Sequence, residues 1–281
     1  MEITDLQIFL QVADSGSISQ AAKELHYVQS NITSRIKKLE QQLQTKLFFR
    51  HNRGIKLAPA GELLEPYARR IIQLSEQAII HLKSQDKPQG ILKIAAIESV
   101  AMIFLPPILI NFHKEHKGIR LNLQSGRTED LIQRVLRYEL DGAFVHTTWQ
   151  QPSLNTIPIA DENLVMVTHK SVEKLNHETL TTVITFYEGC VYRSHLQNWI
   201  YKEGLPQPQI MEFNSIDGIL SCIDAGMGFS LLPKTLLRRR IYQNICMHEI
   251  EPKLKAPATF IYRNDADSRC LKTFVAFLEK R

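Results

Sequence analysis

Apolar positions along the N-terminal stretch recur with the spacing of short helices. Leu6, Phe9, Leu10 and Ala13 fall at i, i+3, i+4 and i+7, which marks one face of an amphipathic helix. Asp14-Ser15-Gly16 ends it, and Ser17 with Gln20 three residues on reads as a capping box that opens a second helix. The apolar face of that helix is Ile18, Ala21, Ala22 and Leu25. Ile32, Ile36, Leu39 and Leu43 define a third, whose other side carries Ser30, Thr33, Ser34, Lys37 and Lys38. Three short helices, the last two a few residues apart, predict a helix-turn-helix. The small side chains of Ala21 and Ala22 let the second helix cross the third closely. The third, short-chained and basic outside, is shaped to lie in a major groove.

Beyond it the pattern changes period. Lys46 to Gly61 gives two strand-like runs around the basic turn His51-Asn52-Arg53-Gly54, the pattern of a wing whose Arg53 reaches a phosphate or a minor groove. Pro59 opens a long helix to about Gln85, on which Ala60, Leu64, Tyr67, Ile71, Leu74 and Ala78 repeat at spacings of four and three. That repeat suits either a self-pairing seam or packing against its own domain. Lys87-Pro88-Gln89-Gly90 reads as a hinge. From there strand-like runs alternate with helical ones: "ILKIAAIES", "IRLNLQSG" and "LDGAFVHT", then from about Asp161 "NLVMVTH", "TVITFY", "QIMEFN" and "MGFSLLP". Such alternation predicts parallel α/β sheets, here two similar halves joined by crossing strands.

Charge sharpens the first part of this reading. The whole chain of 281 residues carries a net +5, yet between Lys23 and Leu57 eight basic residues face only Glu24 and Glu40. The remainder is close to neutral. A localised basic patch on a small helical unit is the footprint of a nucleic-acid-binding module; on charge alone, a solvated face would do as well. No run of 18 apolar residues occurs and Met1 leads straight into the acidic MEITD, so neither a membrane span nor a secretory signal is expected. A cytoplasmic location follows as an expectation. The four cysteines, Cys190, Cys222, Cys246 and Cys270, form no C-x-x-C pair and read as reduced thiols, with a two-cysteine redox switch as the alternative.

Catalytic signals are weak. His113 and His116 flank Glu115 on one helix face without an obvious third metal ligand. Cys190 follows a strand, but no histidine can be assigned as its base. No G-x-S-x-G elbow, Walker loop or G-x-G-x-x-G turn is present. Neither an enzyme nor a cofactor is expected.

These residues together resemble the LysR-type transcriptional regulators. The family's helix-turn-helix run is matched by Leu6, Phe9, Val12-Ala13, Gly16-Ser17-Ile18-Ser19, Ala21-Ala22, Leu25, Gln29, Ile32-Thr33, Ile36 and Leu39-Glu40. Its wing is matched by Leu47-Phe48-Phe49-Arg50 and Leu57-Ala58-Pro59-Ala60-Gly61, and its later G-x-G signature by Gly226 to Pro233. Val28, Ser30 and Asn31 depart from the usual serine, proline and alanine. Ala58 replaces a capping threonine, a change worth about 1 kcal/mol. The resemblance covers essentially the whole chain. It implies an α+β multidomain protein: a winged helix-turn-helix over 1–58, a linker helix that dimerises over 59–87, and a two-subdomain, periplasmic-binding-protein-like effector domain over 88–281. Subdomain I would span about 90–160 and 265–281, and subdomain II about 161–264.

The expected partners are double-stranded DNA at an interrupted palindrome, a small-molecule effector, and the chain itself as a dimer and then a tetramer. Gln29 and Thr33 match the family's DNA-facing pattern. Helix geometry adds Ser30, Ser34 and Lys37, and the wing adds Arg50 and Arg53. For the effector, ligands in open α/β sheets sit beyond the carboxyl ends of strands. Those ends are Ser99, Thr128 and His146-Thr147 in the first half, with Tyr192, Arg193 and Ser215 facing from the second. Ser99 and Thr128 match small hydroxyl positions the family uses. Helix termini plus an arginine predict an anionic metabolite. The competing class is an α/β enzyme or a transport-type binding protein with a basic N-terminal domain; turnover of the ligand would single out an enzyme, and a transport protein would be exported.

Overall fold

The computed structural model describes residues 1–51, 54–83, 88–147, 151–237 and 242–281, with the side chains of residues 50, 77, 80, 81 and 83 outside the description. Two compact units emerge: Met1–Gly90 with Arg134–Leu140, and Ile91–Gln133 with Asp141–Arg281.

The first unit begins with α1 (Ile3–Ser15), α2 (Ile18–Glu24) and α3 (Gln29–Leu43). Gly16 closes α1 in the left-handed conformation, φ +62°, which glycine adopts without a Cβ clash. Its carbonyl then accepts from Ile55 N–H at 2.9 Å, fixing the wing against the end of the helix. Ser17 caps α2 through Gln20 N–H as expected. Gln20 does not complete the box, because its side chain bonds Glu24 one turn on at 2.6 Å. Ala21 and Ala22 are buried, 0% and 4% exposed, beside Ile32, Ile36 and Leu39. Leu43, expected on the same apolar face, is exposed at the helix end.

β1 (Phe48–His51) and β2 (Gly54–Leu57) pair antiparallel in the wing, with Phe48 opposite Leu57. Residues 52–53 at its tip, Arg53 among them, lie outside the described residues. So does Lys87 of the expected hinge. α4 (Pro59–Lys83) follows, and its expected seam divides: Ala60, Leu64 and Ile71 pack on the helix-turn-helix core, while Tyr67, Leu74 and Ala78 are exposed. Phase explains Tyr67 and Leu74: the core-facing row continues through Ala68 and Ile72, which leaves those two at its edge. Ala78 is in phase with Ala60 but lies beyond the last helix residue packed on this core, Ile72.

Beyond α4 the chain runs β3 (Gly90–Ala96), α5 (Glu98–Ile103), α6 (Leu105–Glu115), β4 (Ile119–Ser125), α7 (Thr128–Leu136) and β5 (Gly142–His146). It continues through β6 (Leu154–His169), β7 (Thr182–Thr185), α8 (Val191–Lys202), β8 (Gln209–Glu212) and α9 (Ile216–Asp224). β9 (Ser230–Pro233), α10 (Lys234–Leu237), β10 (Ile245–His248), β11 (Lys255–Arg263) and α11 (Arg269–Glu279) complete it. The main sheet has the order β10-β6-β11-β5-β3-β4, with β9 also paired to β6.

This sheet is mixed rather than parallel. β3 and β5 are parallel, but β11 runs antiparallel to both β5 and β6. The cause is β6, one strand of 16 residues that pairs β11 over Leu154–Asn163 and then β9 and β10 over Leu164–His169. It runs straight through the expected boundary at residues 160–161. β6 and β11 are the crossing strands that join the two halves. β7 and β8 pair in parallel, and a bridge from Val183 to Phe229 ties β7 to the segment entering β9.

The two glycines before β9 have separate jobs. Gly226 takes φ +80° to turn out of α9. A Cβ on Gly228 would sit 2.3 Å from the carbonyl oxygen of Thr182, so glycine here lets β7 approach. Gly228→Ala is expected to force the strands apart at a cost of about 2–4 kcal/mol, against about 1–2 kcal/mol for Gly226→Ala. Urea titration of both variants orders them; equal losses would leave the close approach without energetic weight.

Candidate DNA interface and ligand cavity

On the outer face of α3, Gln29, Ser30, Thr33, Ser34 and Lys37 line one shallow groove. Their i, i+4, i+8 and i+1, i+5 spacing puts them there, because Ile32, Ile36 and Leu39 turn the opposite face into the core. Ser19 Oγ, on α2, lies 3.3 Å from Gln29 Oε1 and orients that amide. Val28 caps α3 with no side-chain hydrogen bond and stands 69% exposed beside the groove.

The basic patch is less free than the sequence suggests. Arg35 bonds the buried Asp5 at 2.7 Å and Glu2 at 3.4 Å, Lys38 reaches Glu2 at 3.4 Å, and Lys46 reaches Glu40 at 3.2 Å. Lys37 faces the groove. The wing's Arg50 occupies β1 opposite Ile55, its side chain outside the description.

Within the second unit, a cavity of about 490 Å³ opens at the carboxyl ends of β3, β4 and β5. Ser99, Thr128, His146 and Tyr192 line it, bringing together four of the seven residues expected there. Thr147, Arg193 and Ser215 are not among its lining residues. Arg193 donates to the Phe186 carbonyl at 3.1 Å and to Glu212 at 2.8 Å, so its guanidinium is already an ion-pair partner. Ser215 stands at the N-cap position of α9 without a side-chain capping hydrogen bond, while its neighbour Asn214 lines the cavity. Thr147 follows His146, and successive extended residues face opposite ways.

Sequence reasoning missed Arg127, Tyr187 and Cys190, which also line the cavity. The Arg127 guanidinium stacks over the Tyr187 ring at 4.2 Å, and among the described residues no carboxylate pairs with it. The signal was available: "QSGRT" puts Arg127 at the same strand end as Thr128. Burial pushes the Cys190 thiol above its ordinary range, which keeps it protonated rather than a reactive thiolate. All four cysteines are free thiols.

Behind the cavity wall lies a buried polar cluster that sequence reasoning did not find as a unit. His146 Nε2 lies 2.8 Å from Tyr192 Oη and 3.4 Å from Ser99 Oγ, and Nδ1 lies 3.0 Å from the Pro257 carbonyl. Tyr192 donates to Glu162 at 3.0 Å, and Thr235 donates to the other oxygen of Glu162 at 3.1 Å. Ser99, His146, Glu162 and Tyr192 are all under 7% exposed. Burial drives His146 down to about 4, partly offset by the Pro257 carbonyl. Burial likewise drives Glu162 up to about 7, against hydrogen bonds from Tyr192 and Thr235. Although His146 and Glu162 approach to 3.7 Å, a histidine with so low a pKa is neutral at pH 7, and the contact is not an ion pair.

Family comparison decides what these two sites belong to. Residues 3–62 match the profile of the bacterial regulatory helix-turn-helix protein, lysR family, and residues 85–281 match the LysR substrate binding domain. The chain belongs to the LysR family. This LysR-type transcriptional regulator joins a DNA-binding helix-turn-helix to an effector-binding domain; members of the family are regulators and not enzymes. It is 39% identical over 278 residues to the HTH-type transcriptional regulator YusT of Bacillus subtilis (strain 168), covering 98% of this chain and 94% of that protein. To the HTH-type transcriptional regulator CzcR of Bacillus anthracis it is 38% identical over 283 residues, 100% and 98% of the two chains. Among solved structures it shares its fold with a full-length cysteine variant of OxyR from Pseudomonas aeruginosa, at TM-score 0.75 and 21% identity over 100% and 94% of the chains. Full-length CbnR complexed with its target DNA gives TM-score 0.71 at 22% identity, covering 100% and 99%. Among the described residues, no helix of this LysR-type chain is long and apolar enough to cross a membrane.

Proposed function

We propose that this regulator binds an interrupted palindromic promoter site as a dimer, and that a small anionic metabolite in the effector cavity modulates it. The recognition face is Gln29, Ser30, Thr33, Ser34 and Lys37 of α3, and Arg50 and Arg53 of the wing are assigned as further DNA contacts. We assign residues 1–58 to DNA binding, 59–87 to pairing and 88–281 to the effector domain, within a cytoplasmic protein. Pairing draws support from α4, where Leu63, Tyr67 and Leu74 share one outer face and Ile79 and Leu82 follow further along, all at least half exposed. Its 25 residues span roughly 38 Å, near the roughly 34 Å between half-sites on one face of DNA. Two such dimers joined through their effector domains would make the tetramer.

The observation that carries the effector reading is Arg127. It is a guanidinium held in place by Tyr187 on the cavity wall, beside the Thr128 hydroxyl and the first N–H groups of α7. A charge-assisted hydrogen bond is worth about 1.5–3 kcal/mol, so Arg127→Ala should weaken an acid ligand roughly 10- to 150-fold. Thr128→Ala should weaken it less, by about 1 kcal/mol. A thermal-shift screen of small organic acids on the full chain and both variants reads this out. An acid that stabilises all three proteins equally would place the ligand elsewhere.

A further inference from the structure

We propose that Glu162 is a positioning residue: its protonation state, relayed through Tyr192 and His146, sets whether Ser99 offers the effector cavity a hydrogen-bond donor or an acceptor. This rests on the reading of the cavity as the effector site. It concerns a group that does not itself line the cavity.

The Pro257 carbonyl can only accept, so His146 Nδ1 carries a hydrogen, and Nε2 of the neutral ring is a bare acceptor. Two hydroxyls compete to fill it, Tyr192 at 2.8 Å and Ser99 at 3.4 Å. Tyr192 has one hydrogen and two acceptors within reach, Nε2 and Glu162 Oε2. Thr235 supplies Glu162 Oε1 in either case. Two arrangements leave every buried group paired.

In the first, Glu162 is protonated on Oε2 and donates to Tyr192, which donates to His146 Nε2. The Ser99 hydrogen is then released from Nε2 and can turn to the cavity, with the Tyr192 oxygen as its other acceptor. In the second, Glu162 is ionised, Tyr192 donates to it, and Ser99 must fill His146 Nε2. Ser99 then shows the cavity only lone pairs. Passing from the second state to the first takes one proton from solvent, which ends on Glu162 Oε2, while the Tyr192 and Ser99 hydroxyls only rotate.

The setting favours a group that changes charge near neutrality. Burial raises Glu162 to about 7, and among the described residues no lysine or arginine forms an ion pair with it. On β6 its neighbour Asp161 pairs outward with Lys255 of β11, and on α10 Lys234 pairs with Glu249. α8 contributes Tyr192, which burial keeps well above its ordinary value, together with Cys190 and His195. From α5, Glu98 turns its carboxylate to the backbone N–H of Ile216. β5 contributes His146, neutral at this pH. An effector carboxylate at Ser99 can only accept, so it selects the protonated state and binds with uptake of one proton.

Infrared titration of the full-length protein tests the relay without any effector. The carbonyl stretch of a protonated buried carboxyl, identified by its loss in Glu162→Gln, should fade with a midpoint near pH 7. Ser99→Ala removes the hydroxyl that fills Nε2 in the ionised state, so the midpoint should rise by roughly half a unit or more, and Ser99→Thr should restore it. An unmoved midpoint in Ser99→Ala overturns the proposal. In a second arm the probe is acetate, followed by ligand-observed NMR. Its affinity for the wild type should fall roughly tenfold from pH 6 to pH 8. Glu162→Gln, whose amide donates to Tyr192 as the acid does, should show no fall. The same fall in Glu162→Gln also overturns the proposal. Acetate that binds neither protein, alongside a midpoint that moves in Ser99→Ala, supports the relay and counts against the effector reading alone.

Discussion

Raising salt from 50 to 200 mM is expected to cost the regulator, bound as the proposed dimer, about a thousandfold or more in affinity for its operator. The loss follows from counterion release: each phosphate neutralised by a cation contributes about 0.9 to the slope of log affinity against log salt. Lys23, Lys37 and Lys56 are exposed and, among the described residues, unpaired. Arg35, Lys38 and Lys46 are held by Glu2, Asp5 and Glu40 and contribute less. Three free lysines plus Arg50 and Arg53 per protomer, doubled in a dimer, give roughly six to ten contacts, the range for a thousand- to hundred-thousandfold loss. Lys37→Ala should weaken all sequences alike and flatten the slope by about 2 per dimer. Gln29→Ala should instead change which base is preferred, because its amide faces the groove from the first turn of α3. Fluorescence anisotropy over a salt series, with a randomised operator library, separates the two. If Gln29→Ala keeps the wild-type preference and loses only uniform affinity, α3 is read in the wrong register.

Most of the DNA-binding half was legible because its determinants are local. The i, i+3, i+4 repeats of α1 and α3 and the alanines of α2 state which faces are buried, and Gly16 marks a left-handed turn that glycine makes at the least cost. What stayed hidden there is long-range. Nothing in the spacing of Arg35 and Lys38 says that Glu2 and Asp5, more than 30 residues away in most of these pairs, will fold against them. The phase of α4 was ambiguous for a similar reason: a four-three repeat fits both a self-packed row and an outer row.

In the effector half, strand ends were legible and strand directions were not. Ser99, Thr128 and His146 follow apolar runs and end up lining one cavity. Arg193 was misplaced because α8 starts at Val191, which gives the cavity to Tyr192 and turns the next residue toward Glu212. Glu162 left no trace. In "ADENLVMV" it reads as one more polar residue at the start of a strand, and its burial comes with distant partners, Tyr192 of α8 and Thr235 of α10, folded onto its carboxylate.

Between pH 4.5 and 6.5, Glu162 and His146 are expected to leave wild-type stability nearly level, while removing either one exposes a slope of opposite sign. Glu162 is raised from 4.5 to about 7, so the fold favours its neutral form. That stabilisation is complete below pH 4.5 and is lost as pH rises through 7. His146 is lowered from 6.5 to about 4, so the fold disfavours its charged form, and stability is lost as pH falls from 6.5 toward 4. Each shift corresponds to about 3 kcal/mol, and over the shared window the two trends oppose and cancel. Glu162→Gln leaves the histidine alone, so its stability relative to wild type should rise by about 3 kcal/mol from pH 4.5 to 7. His146→Gln leaves the carboxyl alone, and its relative stability should fall by a similar amount over about the same range. The surface pairs, such as Lys255–Asp161, titrate alike in all three proteins and drop out of the differences. Urea midpoints at half-unit intervals of pH give the three curves. Parallel curves would mean that neither group changes its proton affinity on folding, and the cluster would then be an ordinary set of buried hydrogen bonds.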